Sequence, residues 1–376
     1  MTRTDDARPH WAVYVLASIM GLAFFACIGL FVASEVGEAE KATWRWGFVD
    51  GDGQAVIPLE WEGARGFSNG RAAVRRNGVW GFVDRSGSPV VAPRFAQLCD
   101  YGGPHPTCAQ DPQTRNWGYI DDAGAWVVEP TLNVARPMSE DGVAFFGKAV
   151  GRTSSRIGNN RTIHHFGLMD ATGAEIVGVR PITDAKAWSS VGPWAEGRAG
   201  VQIGKLWGFI DTTGTFVLEP AYFAVKPFRN GYAGVSNGLG WGVIDPDGTF
   251  VVKAGHGLSD GLSEGLLSGP MGYHKPDGTT VGPRFEWVQP HSDGLGAVYV
   301  DKQWGFVDTE GRVAILPQFP RVTAFSDGHA LAARPDGLNY RWGVIDRTGK
   351  WTVEPTWSAV DESGFSEGLV AVGTPP

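Results

Sequence analysis

The sequence predicts an all-β fold of about nine tandem repeats behind one N-terminal transmembrane helix. Three observations carry that expectation. The line "NGVWGFVDRSG" at Asn77–Gly87 returns as "GKLWGFIDTTG" from Gly204, "DKQWGFVDTEG" from Asp301 and "NYRWGVIDRTG" from Asn339. The 376 residues include 54 Gly, 24 Pro and 16 Trp, a composition of tight turns between short strands. One stretch near the N-terminus is long, apolar and free of charge. Hydrophobic residues make up 43% of the chain and charged residues 19%, so a core can form. The formal net charge of −8 repels phosphate backbones and argues against nucleic acid as a partner.

In chain order, the uncharged run comes first, from Trp11 to Ala33. As a helix rising 1.5 Å per residue it would span about 34 Å, against a hydrocarbon core of about 30 Å. Arg3 and Arg8 precede it, and Glu35, Glu38 and Glu40 follow. The positive-inside rule therefore leaves residues 1–10 in the cytoplasm. Residues 34–43 read as a linker, and the repeat domain, 44–376, is extracytoplasmic, in a periplasm or at a cell surface. A cleaved signal peptide and a secreted product are the alternative, since small residues stand at Ala33 and Ser34. The length of the run favours a retained signal anchor. Cys27 does not fit a lipoprotein cysteine, because the apolar run continues past it.

Cysteine usage agrees with export. Cys99 and Cys108 bracket "CDYGGPHPTC", and a disulfide closing that loop contributes about 2–3 kcal/mol by chain entropy. A metal pair with His105 is the rival reading, but two Cys and one His without a second cluster fall short of a zinc site.

The repeat occupies the rest. Trp-Gly or its equivalent stands at Trp46, Trp80, Trp117, Phe166, Trp207, Trp241, Met271, Trp304 and Trp342. The Gly is present in all nine units. Three residues after it comes Asp in eight of them (Asp50, Asp84, Asp121, Asp170, Asp211, Asp245, Asp308, Asp346), with Lys275 the exception. A further Gly follows three residues on, from Gly53 to Gly349. Next is an apolar run closed by Pro, as at Pro93, Pro220 and Pro355, and then an aromatic such as Phe95, Tyr222, Phe285, Phe319 or Trp357. A "F-S-[ED]-G" motif or a relative closes the period, at Phe67, Trp194, Phe228, Leu262, Phe325 and Phe365. Insertions lengthen the chain before Phe166 and before Trp207.

This pattern resembles the WG-repeat family of bacterial proteins, over about residues 44–372. The resemblance implies an all-β repeat protein and carries no catalytic residues over. The residues support it. Alternation in "WGFVD" sends Trp80, Phe82 and Asp84 one way and Gly81 and Val83 the other. Asn77-Gly78 is a hairpin signal, and "DRSG" a second turn. Each unit thus reads as a three-stranded meander followed by a connection of roughly ten residues. Gly81 leaves room for a neighbouring backbone or aromatic. The first unit starts at "WRWGFVD" with little strand before it and the last ends at "FSEGLVAV" with no Trp-Gly after it, so the last strand can complete the first sheet. That complementarity favours a propeller-like ring over an open β-solenoid.

The candidate sites follow from departures from the repeat. The recurring Asp reads as a turn former: "DGDG" at Asp50–Gly53 lacks the calcium loop's twelfth-position Glu, with Trp61 there instead. Trp46, Trp80, Trp117, Trp207, Trp241, Trp304 and Trp342 read as structural, and Trp80→Ala is expected to cost about 3–5 kcal/mol. Trp44, Trp188 and Trp287 fall outside the pattern and are candidate ligand-binding residues. So are Arg152, Arg156, Arg161, His164 and His165, a basic group in "GRTSSRIGNNRTIHHFG" suited to an acidic polymer or anionic headgroup. No nucleophile elbow, zinc-protease or phosphate-loop motif occurs, and the eight His are scattered. The expectation is a non-enzymatic, membrane-anchored scaffold, without cofactor or metal, that binds a protein partner in the cell envelope. The alternatives are a cell-wall or polysaccharide binding module and a glycan-acting hydrolase on the same scaffold.

Overall fold

The computed structural model describes residues 44–152, 162–253, 262–269 and 271–375. The anchor expected at Trp11–Ala33 lies outside the described residues. Among the described residues no helix is long and apolar enough to cross a membrane. The region Arg45–Pro375 is one compact unit. It is built of short antiparallel strands, and each unit seen in the sequence forms a sheet, numbered 1–9 by the order of Trp46, Trp80, Trp117, Phe166, Trp207, Trp241, Met271, Trp304 and Trp342, with the fourth and fifth joined edge to edge.

The second sheet is representative. Gly63–Ser68, Arg71–Arg76, Val79–Asp84 and Pro89–Phe95 pair in that order. The expected meander is its last three strands. The expected connection is corrected: part of it folds back as a fourth strand on the meander's open edge. Elsewhere that strand shrinks to two residues, as at Gln97–Leu98, Ala224–Val225 and Trp287–Val288. The insertion before Phe166 lengthens one hairpin, Val143–Arg152 against Thr162–Asp170. At the second insertion Phe166 pairs with Trp188, which fuses the fourth and fifth units into an eight-stranded sheet.

Sheet 1 takes strands from both chain ends. Arg45–Val49 lies between Ala55–Trp61 and Val370–Thr374, with Ala359–Val360 beyond. The last strand therefore completes the first sheet, in a five-residue register from Arg45↔Thr374 to Val49↔Val370.

The core lies between sheets, which explains why the strands are apolar on both faces. Phe82 packs in a cluster with Leu98, Ala109 and Ile120 of sheet 3. Its neighbour Val83 points the other way, into a cluster with Phe48, Ile57 and Trp61 of sheet 1. One aromatic contact recurs across these interfaces. The residue two after the Trp position meets the first residue of the next unit's F-S-x-G turn: Phe48 on Phe67, Phe209 on Phe228 and Phe306 on Phe325, with centroids 4.7–4.9 Å apart. Tyr101 and His291 take the same place against Phe82 and Tyr273.

The Trp of Trp-Gly is structural but is not the main filling between units, which corrects the full core cost expected for Trp80→Ala. Trp46, Trp80, Trp117, Trp207, Trp241 and Trp304 are half-buried, and only Trp342 of the seven is buried. All but Trp241 stand opposite a bulky residue of their own outer strand: Trp61, Phe95, Leu132, Tyr222, Phe319 and Trp357. Between that pair and the next lies a bulge: Trp80 faces Phe95 while Phe82 faces Val91. The bulge carries Pro93 and swings the Val91 carbonyl over Gly81. A Cβ there would stand 2.3 Å from that oxygen, and Gly47, Gly118, Gly208, Gly305 and Gly343 meet the same obstruction.

Candidate functional site

The repeated polar residues prove to be structural. In all eight D-x-x-G turns one carboxylate oxygen accepts from the backbone N–H groups two and four residues on, as Asp84 does from Ser86 and Ser88. Where Lys275 replaces Asp, the carboxylate of Asp277 serves Thr279 instead. Hydrogen bonds from Ser86, Thr172 and Thr213 help hold Asp84, Asp170 and Asp211 below the usual carboxylate range. No group of three or more metal-ligating side chains converges among the described residues.

The F-S-x-G turns are two-residue hairpins with both central residues at positive φ, as at Asn69-Gly70 and Glu264-Gly265. Their acidic residues bridge units. Glu196 accepts from the Gly231 N–H, Glu264 from Gly294, and Asp293 from Gly328. Glu367 accepts from Gly70, across the junction of the chain ends.

The disulfide forms between Cys99 and Cys108, with Cα atoms 5.3 Å apart. The stapled loop replaces the F-S-x-G turn of the third unit and lays Tyr101 into the vacant aromatic position. The Tyr101 hydroxyl donates to Asp122 at 2.5 Å, and the Arg71 guanidinium lies 4.2 Å from the ring. Burial, together with the hydrogen bond to Asp122, pushes the phenol up to about 12. His105 contacts the Glu140 carbonyl at 2.9 Å, so the metal reading of this loop gives way to a staple.

The binding residues predicted from sequence are not brought together. Arg156 and Arg161 lie outside the described residues. Arg152 is exposed at a strand end and His164 is half-buried. His165 is buried, with Nδ1 2.9 Å from the Arg180 carbonyl, so it leaves the basic group. Adjacent strand residues face opposite ways, and the two His cannot share a surface. Trp188 is also corrected: it is buried, with Phe145 edge-on to it at 5.9 Å. Trp44 is half-buried one residue before the first strand. Trp287 remains available, 56% exposed.

A groove that the sequence did not announce lies where sheets 2 and 3 meet. It is a shallow, open depression of about 480 Å³ lined by Arg94, Phe95, Asp111, Pro112, Gly124, Ala125 and Trp126. Trp126 packs edge-on against Phe95 at 5.4 Å, and Arg94 donates to the Gly124 carbonyl. A half-buried indole with a guanidinium beside it suits a polar, partly apolar ligand, while Asp111 is held in its own turn by the Gln113 and Thr114 N–H groups. The signal was divided among three segments, each of which reads as ordinary repeat.

Comparison with known proteins bears on the fold. The model of a family described as WG containing repeat matches residues 46–80, 80–98, 117–148, 207–238, 304–333 and 342–373. No curated protein matches the chain in sequence. A crystal structure titled as a eukaryotic initiation factor is similar over 89% of this chain and 99% of its own, at 11% identity and a TM-score of 0.52. The β-propeller domain of the Trilobed protease from Pyrococcus furiosus aligns over 78% of this chain and 97% of its own, with 9% identity and a TM-score of 0.37. Kluyveromyces lactis Hsv2 aligns over 74% and 94%, with 9% identity and a TM-score of 0.36.

Proposed function

This chain belongs to the WG-repeat family, and from that premise we propose that it is a non-enzymatic binding scaffold: nine repeat units in a propeller-like ring, anchored at a membrane by Trp11–Ala33 and engaging a protein partner outside the cytoplasm. Pairing of Arg45–Val49 with Val370–Thr374 supports the ring over the solenoid. So does Gly53, which lies against Val353 as Gly87 lies against Ile57 in neighbouring sheets.

One observation carries the scaffold reading. The acidic residues that recur are engaged with the protein's own backbone, and Asp111 likewise accepts from the Gln113 and Thr114 N–H groups, which leaves half-buried Trp126 and the Arg94 guanidinium to meet a partner in the open groove beside them. The same groove favours a second reading, a polysaccharide module, since an aromatic flanked by charged groups also suits a sugar ring.

A photo-crosslinking residue in place of Ala125, in the full chain in its own membranes, tests the two. A discrete protein adduct that Trp126→Ala abolishes supports the scaffold. Retention on cell-wall polysaccharide without a protein adduct supports the module. Turnover of that polysaccharide would replace both with the hydrolase.

A further inference from the structure

We infer that one edge of the repeat body rests on the bilayer, with the hairpin tips of sheets 6–9 inserted at the interface. The inference rests on the membrane-anchored reading and adds which surface the membrane covers.

Topology defines the edge. The F-S-x-G turns of neighbouring sheets bond each other, so these sheets stack in the same direction. The hairpins joining the second and third strand of each unit therefore gather on the opposite edge. In sheets 6, 7 and 9 the tips of these hairpins are Leu239, Met271 and Leu338. Leu338 is fully exposed, Leu239 is 84% exposed and Met271 48%. Phe223 and Trp287, each more than half exposed, stand beside the tips of sheets 6 and 8, where Phe223 bonds Ser236 and Trp287 pairs with Tyr299. The matching tips of sheets 2, 3 and 5 carry Asn77-Gly78, Gln113–Arg115 and Gly204-Lys205.

The path of the chain names the occupant. In sheet 1 the corresponding hairpin is absent and the two chain ends stand in its place, Arg45 opposite Thr374. The N-terminal segment thus enters the body at this edge, one sheet from Leu338. Eleven residues, Ser34–Trp44, separate the uncharged run from the first strand. Fully extended they reach about 36 Å, which keeps this edge near the membrane surface. Large apolar side chains and a Trp at hairpin tips suit the boundary between headgroup and acyl chain. The charged tip of sheet 8, Asp301-Lys302, would stay at headgroup level.

The test uses the full chain with Cys27→Ser, reconstituted in phosphatidylcholine–phosphatidylglycerol vesicles. Leu239→Cys, Leu338→Cys and, on the opposite edge, Ser86→Cys and Thr348→Cys each carry an environment-sensitive fluorophore. Lipids brominated on the acyl chain should quench the Leu239 and Leu338 labels several-fold more than the other two. Equal quenching at both edges overturns the inference. So does blue-shifted emission at the tips that ignores brominated lipid, which would assign the edge to a second copy or a protein partner. Alkaline carbonate separates the premises: a chain that washes off the vesicles overturns the anchor and the docked edge together. A retained chain with unquenched tips overturns the edge alone.

Discussion

Gly81 shows how one side chain, or its lack, fixes a local geometry. Two glycines three residues apart should fail differently. Gly78→Ala meets nothing within 4 Å but needs a φ of 75°, and should cost about 1–2 kcal/mol. Gly81→Ala drives a methyl into the Val91 carbonyl and should cost about 3 kcal/mol or more, the upper end for overpacking. Urea denaturation of both variants checks the order. Phe82 and Trp80 should also separate. Phe82 is 1% exposed at an inter-sheet contact, so Phe82→Ala should lose about 3–5 kcal/mol. Half-buried Trp80 should lose about half as much on truncation to Ala, with the difference read as a shift in denaturation midpoint. The Trp-Gly line was legible in the sequence as structure. Which of its aromatics is buried was not, because strand alternation gives a face but not the depth of what covers it.

Within an element, replacing one repeated residue exposes what the repeat does. His291 occupies the position held by Phe67, Phe228 and Phe325, is buried, and has Nε2 3.2 Å from the Asp308 carbonyl while Nδ1 has no hydrogen-bond partner. Burial depresses its pKa below the ordinary 6.5, against the pull of the Asp308 carbonyl and the charges of Glu264 and Asp308. The folded state therefore resists a proton that the unfolded chain accepts. Stability from this site is present above pH 6.5 and is lost as pH falls below it. His291→Phe should raise the melting temperature more at pH 5 than at pH 8; an equal gain at both would show that the imidazole titrates alike in the folded and unfolded chain. The outer strands show a different constraint. Each is a sheet edge, and Pro58, Pro93, Pro130, Pro220, Pro317 and Pro355 interrupt it at or beside the bulge, which blocks pairing with another chain. The period of Pro was plain in the sequence. Its service to Gly one strand away needed the register.

For the whole molecule, the two chain ends depend on each other. Val370–Thr374 is an interior strand of sheet 1, between Arg45–Val49 and Ala359–Val360. Bonds from Gly66 to Asp361, Gly70 to Glu367 and Ser366 to Phe67 fasten sheet 2 to the same region. Deleting residues 369–376 should therefore lower the melting temperature of the entire domain in one transition. Loss confined to a C-terminal subdomain, with independent melting of the rest, would contradict that coupling. Removing an outer strand from one sheet, by contrast, leaves each neighbour its partner on the other side.

By itself the sequence determined the strand class, the repeat, the turn chemistry and the disulfide. These are local: Asp bonds backbone two and four residues on, Gly reaches positive φ, and Cys99 and Cys108 are separated by a short loop. Only the tertiary structure decided what depends on neighbours. It buried Trp188 and His165, left Trp287 exposed, moved the packing role from Trp80 to Phe82, and assembled a groove from three separate segments. The physical reason is that a strand in a stack is covered on both faces, by partners one repeat before and one repeat after it. Composition and spacing set what a unit can form, while burial and exposure are set by which residues the adjacent units place against it.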